Sequence, residues 1–133
     1  MKFLASVSLT IYALDQATKW WTVTAYDRGE LPRQVIPGYF DLVYWQNTGA
    51  AFSFLADAGG WQRWACIVLA TVVSGFIALW LWRLRTERQA ILSAGLALVL
   101  GGAVGNLLDR SRLGYVVDFF QVWIGSWPFP SFN

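Results

Sequence analysis

Nineteen consecutive uncharged residues, Ala90 to Leu108, end directly on Asp109 and Arg110. An α-helix rises about 1.5 Å per residue, so this run covers roughly 28 Å, close to the hydrocarbon thickness of a bilayer. Trp64 to Trp82 is a second run without charge, and tryptophans bracket it as interfacial anchors often do. Phe3 to Ala25 is a third, interrupted by Asp15 and Lys19. A cleaved signal peptide is a poor reading of that third run. Asp15-Gln16-Ala17-Thr18-Lys19 does not suit a cleavage site, and Trp20 and Trp21 continue the apolar pattern. The chain is 56% hydrophobic and 14% charged, whereas a soluble domain is about a quarter charged. These features predict a membrane α-helical protein. Residues 1–133 form a single domain with three transmembrane helices, about 3–25, 64–82 and 90–108.

Loop charge orients those helices. The 83–89 connection carries Arg83, Arg85 and Arg88 against Glu87, a net of +2. The 26–63 connection carries three Arg against Asp27, Glu30, Asp41 and Asp57, a net of −1. Positive-inside places the short Arg-rich loop in the cytoplasm. The loop 26–63 and the segment 109–133 then lie on the outer face. Within the outer loop, Val35-Ile36-Pro37-Gly38 reads as a turn and Phe40 to Trp45 as a short strand. After the break at Asn47-Thr48-Gly49, Ala50 to Leu55 reads as a return strand. A small β-sheet subdomain lying on the outer surface is the expected arrangement.

Composition also excludes function classes. A net charge of +2 with no Lys/Arg-rich tract gives no reason to expect nucleic acid. There is no His, which removes His-dependent triads and makes a metal site unexpected. Cys66 lies in an apolar run and reads as a small buried hydrophobe. No cofactor is expected.

The charged residues near the membrane are the features left to explain. Asp15 and Lys19 are four apart on one helix face, acid before base, the favourable order for a pair. Gly101 and Gly105 form a G-x-x-x-G pattern that usually means close helix packing. Asn106 puts a primary amide in the membrane run, where it needs partners, a substrate backbone being one candidate. Asp109 and Arg110 are either interfacial polar residues or part of a site. Asp118 stands in Val116-Val117-Asp118-Phe119-Phe120, an apolar setting that raises a carboxyl pKa.

Taken in order, Asp15-Gln16-x-Thr18-Lys19, Asn47-x-Gly49-Ala50-Ala51-Phe52, Gly101-Gly102-Ala103-x-Gly105-Asn106-x-x-Asp109-Arg110, Val116-Val117-Asp118-Phe119 and Phe132-Asn133 resemble the lipoprotein signal peptidases, or signal peptidase II. The similarity covers essentially the whole chain. It implies a multi-pass aspartic endopeptidase of the bacterial inner membrane, with its site at the outer, periplasmic face. Such an enzyme removes signal peptides from diacylglyceryl-modified prolipoproteins, cutting before the lipidated cysteine. Its expected partners are those substrates and membrane lipids, and it is expected to be a monomer. By resemblance Asp118 is one catalytic aspartate, Asn47, Asn106 and Arg110 line the substrate site, and Asp15, Lys19 and Asp109 shape it.

The family's last motif is Phe-Asn-x-Ala-Asp, whose Asp is the second catalytic residue, and a fourth transmembrane helix follows. The sequence stops at Asn133, so it reads as a C-terminally truncated member, expected to be inactive as it stands. Two carboxylates in close contact share a proton; one activates water and the other stabilises the oxyanion. Asp109 is a poor substitute, because neighbouring Arg110 is expected to hold it ionised. Two alternatives differ in class. A serine/lysine membrane peptidase would have to use Ser53 and Lys19, although Asp15 explains Lys19 better. A non-enzymatic small membrane protein would account for the helices but not for charged residues gathered on one membrane face.

Overall fold

The computed structural model describes residues 2–49, 59–84 and 89–133. The expected return strand Ala50 to Leu55 and most of the Arg-rich connection lie outside the described residues. Among the described residues three helices form: α1 (Lys2–Asp27), α2 (Trp61–Arg83) and α3 (Ala90–Arg112). α2 and α3 are each long and apolar enough to cross a membrane. Val68, Leu69, Val72 and Phe76 on α2 are exposed, as suits side chains that meet lipid instead of water.

α1 and α2 run past both expected ends and α3 past its C-terminal end, where the difference matters. Asp109 and Arg110 lie inside its last turns and not beyond them. The Leu113 and Gly114 N–H groups close the helix on the carbonyls of Asp109 (2.7 Å) and Arg110 (3.2 Å). Gly114 follows with φ of +86°, the left-handed conformation that ends many helices. Arg110 and Arg112 also suit the negative end of the helix dipole.

α3 packs against both other helices. Far from the sheet, Leu4, Ile77, Leu81 and Ala97 form a buried cluster drawn from all three. Along the α1–α3 crossing, backbones come close enough for the Ser8 hydroxyl to donate to the Ala97 carbonyl at 2.8 Å. The G-x-x-x-G pattern sits at that crossing. A Cβ on Gly101 would stand 2.6 Å from the Ser8 carbonyl oxygen and 2.7 Å from the Ile11 Cβ, and one on Gly105 would collide with the Asp15 carboxylate.

Among the described residues four antiparallel strands follow the order β1 (Arg33–Ile36), β2 (Phe40–Asn47), β3 (Val116–Ile124) and β4 (Trp127–Pro128). The strand expected at Phe40 to Trp45 is present and extends to Asn47. Val35 and Ile36 end β1, and the turn follows them. Val116–Ile124, expected only as an outer segment, is the longest of the described strands. Its β-branched and aromatic composition between Gly114 and Gly125 is a strand signal in itself.

The β2–β3 ladder pairs Leu42 with Phe120 and then Trp45 with Asp118, so Val43 and Tyr44 together oppose Phe119. This bulge changes which residues of β2 share a face with Asp118. Side chains alternate along a strand, and one extra residue moves every later one to the other face. Asn47 thereby lies on the face of Asp118.

The contrast between two glycines of α3, Gly105 and Gly102, tests the crossing. Gly105→Ala is expected to lower the thermal midpoint of the detergent-solubilised chain by overpacking, a cost of about 1–3 kcal/mol. Gly102→Ala, with nothing within 4 Å of its Cβ, is expected to leave the midpoint unchanged or raise it slightly through helix propensity. Equal midpoints would contradict the packing.

Candidate active site

Lys19 is where the helix charges meet. Its side chain is 4% exposed, and its Nζ lies 2.9 Å from Asp15 Oδ2 and 2.9 Å from Asp109 Oδ2. It also donates to Asn106 Oδ1 at 2.7 Å. The expected Asp15–Lys19 pair is present, joined by a second carboxylate. The amide of Asn106, which needed a partner in the membrane run, has one in Lys19. Gln16 completes the cluster, with Nε2 donating to Asp15 Oδ2 at 3.1 Å and to Asp109 Oδ1 at 3.2 Å. Gln16 stood in the first motif without an assigned role; its place beside Asp15 was the available signal.

One expectation is corrected here. Arg110 was to hold Asp109 ionised, but the cation on Asp109 is Lys19. The Arg110 guanidinium turns the other way, and its Nη2 donates to the Gly49 carbonyl at 2.6 Å. Adjacent residues on a helix point about 100° apart, so neighbours in sequence do not face each other. Asp109 instead accepts from the Val117 backbone N–H at 3.3 Å. It thus links the helical charge cluster to the strand that carries Asp118.

Asp118 is 1% exposed. Asn47 Nδ2 donates to its Oδ2 at 3.0 Å and Asn133 Nδ2 to its Oδ1 at 2.7 Å. Asn47 is itself oriented by the Gly49 N–H, which donates to Oδ1 at 2.9 Å. Asn133 is brought in by Phe132, whose backbone exchanges hydrogen bonds with Phe120 at 2.9 and 3.0 Å. Burial pushes the Asp118 carboxyl above the usual range. The two amide donors, with Lys19 and Arg110 nearby, pull it back in part. A carboxyl under such opposed influences can change protonation during a reaction cycle.

The fold therefore draws Asp118, Asn47, Asp109, Asp15, Lys19, Asn106 and Arg110 into one region at the junction of α1, α3 and the sheet. Ser53 lies outside the described residues. Lys19 is engaged by two carboxylates and an amide oxygen, an arrangement unlike that of a free general base. Among the described residues, no cluster of three or more His, Cys, Asp or Glu could hold a metal ion.

Comparison with known proteins bears on the family and the fold. The family model described as signal peptidase (SPase) II matches residues 7–133. A lipoprotein signal peptidase of Ectopseudomonas mendocina (strain ymp) is 51% identical over 131 residues, covering 96% of this chain and 75% of the relative. One from Xylella fastidiosa (strain M12) is 49% identical over 128 residues with the same coverage. Among solved structures, a bacterial membrane enzyme determined in meso at 2.3 Å matches with a TM-score of 0.79 at 22% identity, over all of this chain and 77% of its own. A second, at 1.9 Å, matches with a TM-score of 0.73, also at 22% identity, over all of this chain and 82% of its own. Those two establish likeness of fold, while the family model and the close relatives establish kinship: the chain belongs to the signal peptidase II family and is a peptidase fold of the bacterial membrane.

Proposed function

We propose that this protein is an aspartic endopeptidase that removes signal peptides from diacylglyceryl-modified prolipoproteins, with Asp118 as one of its two catalytic carboxylates. The observation that carries the reading is Asp118 itself. It is buried, held from both sides by amide N–H groups and kept above the usual carboxylate range. Water activation needs a carboxylate that can take a proton, and oxyanion stabilisation needs a carboxyl that can donate one. A dyad that shares one proton supplies both. In this reading Arg110, Asn47 and Asn106 line the path of the substrate backbone. Asp15, Lys19 and Asp109 hold α1, α3 and β3 in register beneath it. Kinship with lipoprotein signal peptidases supports the choice of substrate.

The same reading makes α1 a third membrane span, with its two charges neutralised inside the bundle. It places the site at the outer face of the inner membrane, in a single, monomeric domain. By the family pattern the second carboxylate belongs to a motif continuing beyond Phe132-Asn133. A polypeptide of residues 1–133 alone therefore carries one catalytic aspartate of the pair and is proposed to lack activity.

Three measurements follow. In a chain extended by the family ending Ala-Asp and an apolar helix, cleavage of lipid-modified substrate is expected to appear where residues 1–133 alone give none. Comparable rates from both would make another residue, Asp109 foremost, the second acid. In that extended chain Asp118→Asn keeps the shape but cannot take a proton. Its rate is expected to fall by at least about a thousandfold, as when a member of a catalytic unit is lost, and retained activity would end the aspartic reading. For orientation, Glu30→Cys and Gln89→Cys in a Cys66→Ala background separate the two faces. An impermeant maleimide applied from outside should label position 30 and spare position 89, and the reverse pattern would put Asp118 on the wrong side.

A further inference from the structure

Arg63 stands in the first turn of α2, where the helix dipole is positive and a cation is locally unfavourable. A charge placed against its own helix is expected to answer to a different one, and the structure supplies that partner. Its Nε donates to the Arg110 carbonyl at 3.0 Å and its Nη2 to the Ser111 carbonyl at 3.1 Å. Both acceptors are in the last turn of α3, where Arg63 joins the Gly114 N–H on the Arg110 carbonyl and supplies a donor to the Ser111 carbonyl. The guanidinium also lies over Gly114, whose Cβ would stand 3.5 Å from Arg63 Nη1. Its Cζ also rests 5.3 Å from the Trp64 ring centroid. One side chain thus clasps the turn that joins α3 to β3.

Two parts of the site depend on that turn. Arg110, 8% exposed, sends its guanidinium to the Gly49 carbonyl, and Gly49 in turn orients Asn47 on Asp118. After the turn, Val116 opens β3 and carries the chain to Asp118. We propose that Arg63 is a positioning residue: by pinning the Arg110 and Ser111 carbonyls it fixes the α3–β3 turn, and so fixes where the Arg110 guanidinium sits relative to Asp118. Its role rests on the reading of Asp118 as a catalytic carboxylate, but its geometry can be measured without catalysis. Arg63 touches neither Asp118 nor the groups on it, so it acts through Arg110. A planar guanidinium can bridge two successive carbonyls, whereas an ammonium is a point donor.

Titration of Asp118, followed by the ¹³C shift of its carboxyl carbon in the micelle-bound chain, reads this directly. The groups around the Asp118 carboxyl are Lys19, Arg110, Asn47 and Asn133. If the clasp holds Arg110 in place, Arg63→Ala lets that cation drift, and the Asp118 midpoint rises by about half a pH unit or more. Arg63→Lys, which keeps the charge and one donor, should give a smaller rise. Ile77→Ala, in the distant helix cluster, should lower the thermal midpoint and leave the titration where it was. The proposal is overturned if Arg63→Ala destabilises the chain while Asp118 titrates as in the parent. It is also overturned if Ile77→Ala moves Asp118 as far as Arg63→Ala does. Should Arg63→Ala fail to fold, Arg63→Lys carries the test alone: a midpoint identical to the parent's refutes the bidentate clasp. Failure of the cleavage assay would overturn the catalytic reading of Asp118 and leave this titration result standing.

Discussion

A single ammonium group sets the relation between the helices and the sheet. Lys19 comes from α1; Asp109 and Asn106 come from α3; Asp15 lies one turn before Lys19 on α1. Removing one partner from a buried ion pair costs roughly 3–5 kcal/mol, because the other charge is left without compensation. The α1–α3 crossing is therefore fixed along the helix axis more tightly than apolar packing alone would fix it. A slide of one residue would break the Lys19–Asp109 and Lys19–Asn106 contacts together. Gly101 and Gly105 make that crossing possible, since any side chain there would hold α1 away. Asp109 then passes the register on, because the oxygen that meets Lys19 also accepts the Val117 N–H. Position along α1 is converted in this way into position along β3.

Asp118 sits where two requirements conflict. Burial favours its neutral form, while two amide donors and two cations favour its charged form, and burial is the larger influence. With a pKa raised above its unfolded value, the folded chain binds more protons than the unfolded chain between those two values. Stability therefore falls as pH rises through that window and levels off above the folded value. A purely structural aspartate would gain from being replaced there by an apolar residue. The amides of Asn47 and Asn133 would then have no acceptor to serve. Their convergence on one carboxyl is what makes a chemical role the better account.

Sequence revealed the parts of this fold that depend on composition over a long window. Uncharged runs marked α2 and α3, and the spacing of Asp15 and Lys19 marked their pairing. It did not reveal where α3 ends, because Asp109 and Arg110 looked like residues expelled from hydrocarbon. They stay helical because each has a partner that only the tertiary fold brings near: Lys19 for one, the Gly49 carbonyl for the other. For the same reason, adjacency in sequence mispaired Arg110 with Asp109. β3 carried a legible strand signal in Val116-Val117-Asp118-Phe119-Phe120, but its apolar character drew attention to Asp118 and away from the backbone. The bulge at Val43 and Tyr44 has no local signature, since neither residue is a glycine. Only the ladder to β3 exposes it.

That bulge ties the sheet to the chemistry. Phe40 and Leu42 share a face with Val122 and Phe120 on β3. Under strict alternation, the same face of β2 would carry Tyr44 and Gln46 next, and Asn47 would point away. Opposing Val43 and Tyr44 to Phe119 alone exchanges the two sets. Asn47 now faces Asp118, with Trp45 directly across the ladder from it. A ladder interruption is a local loss, since one residue leaves the regular pairing. It is tolerated here because Arg110 anchors the carbonyl of Gly49, and Gly49 in turn anchors the side chain of Asn47. Helix end and strand end thus correct each other. The turn of α3 that presents Arg110 is only as well placed as the strand exit it holds, and Asn47 reaches the carboxyl only because that exit is held.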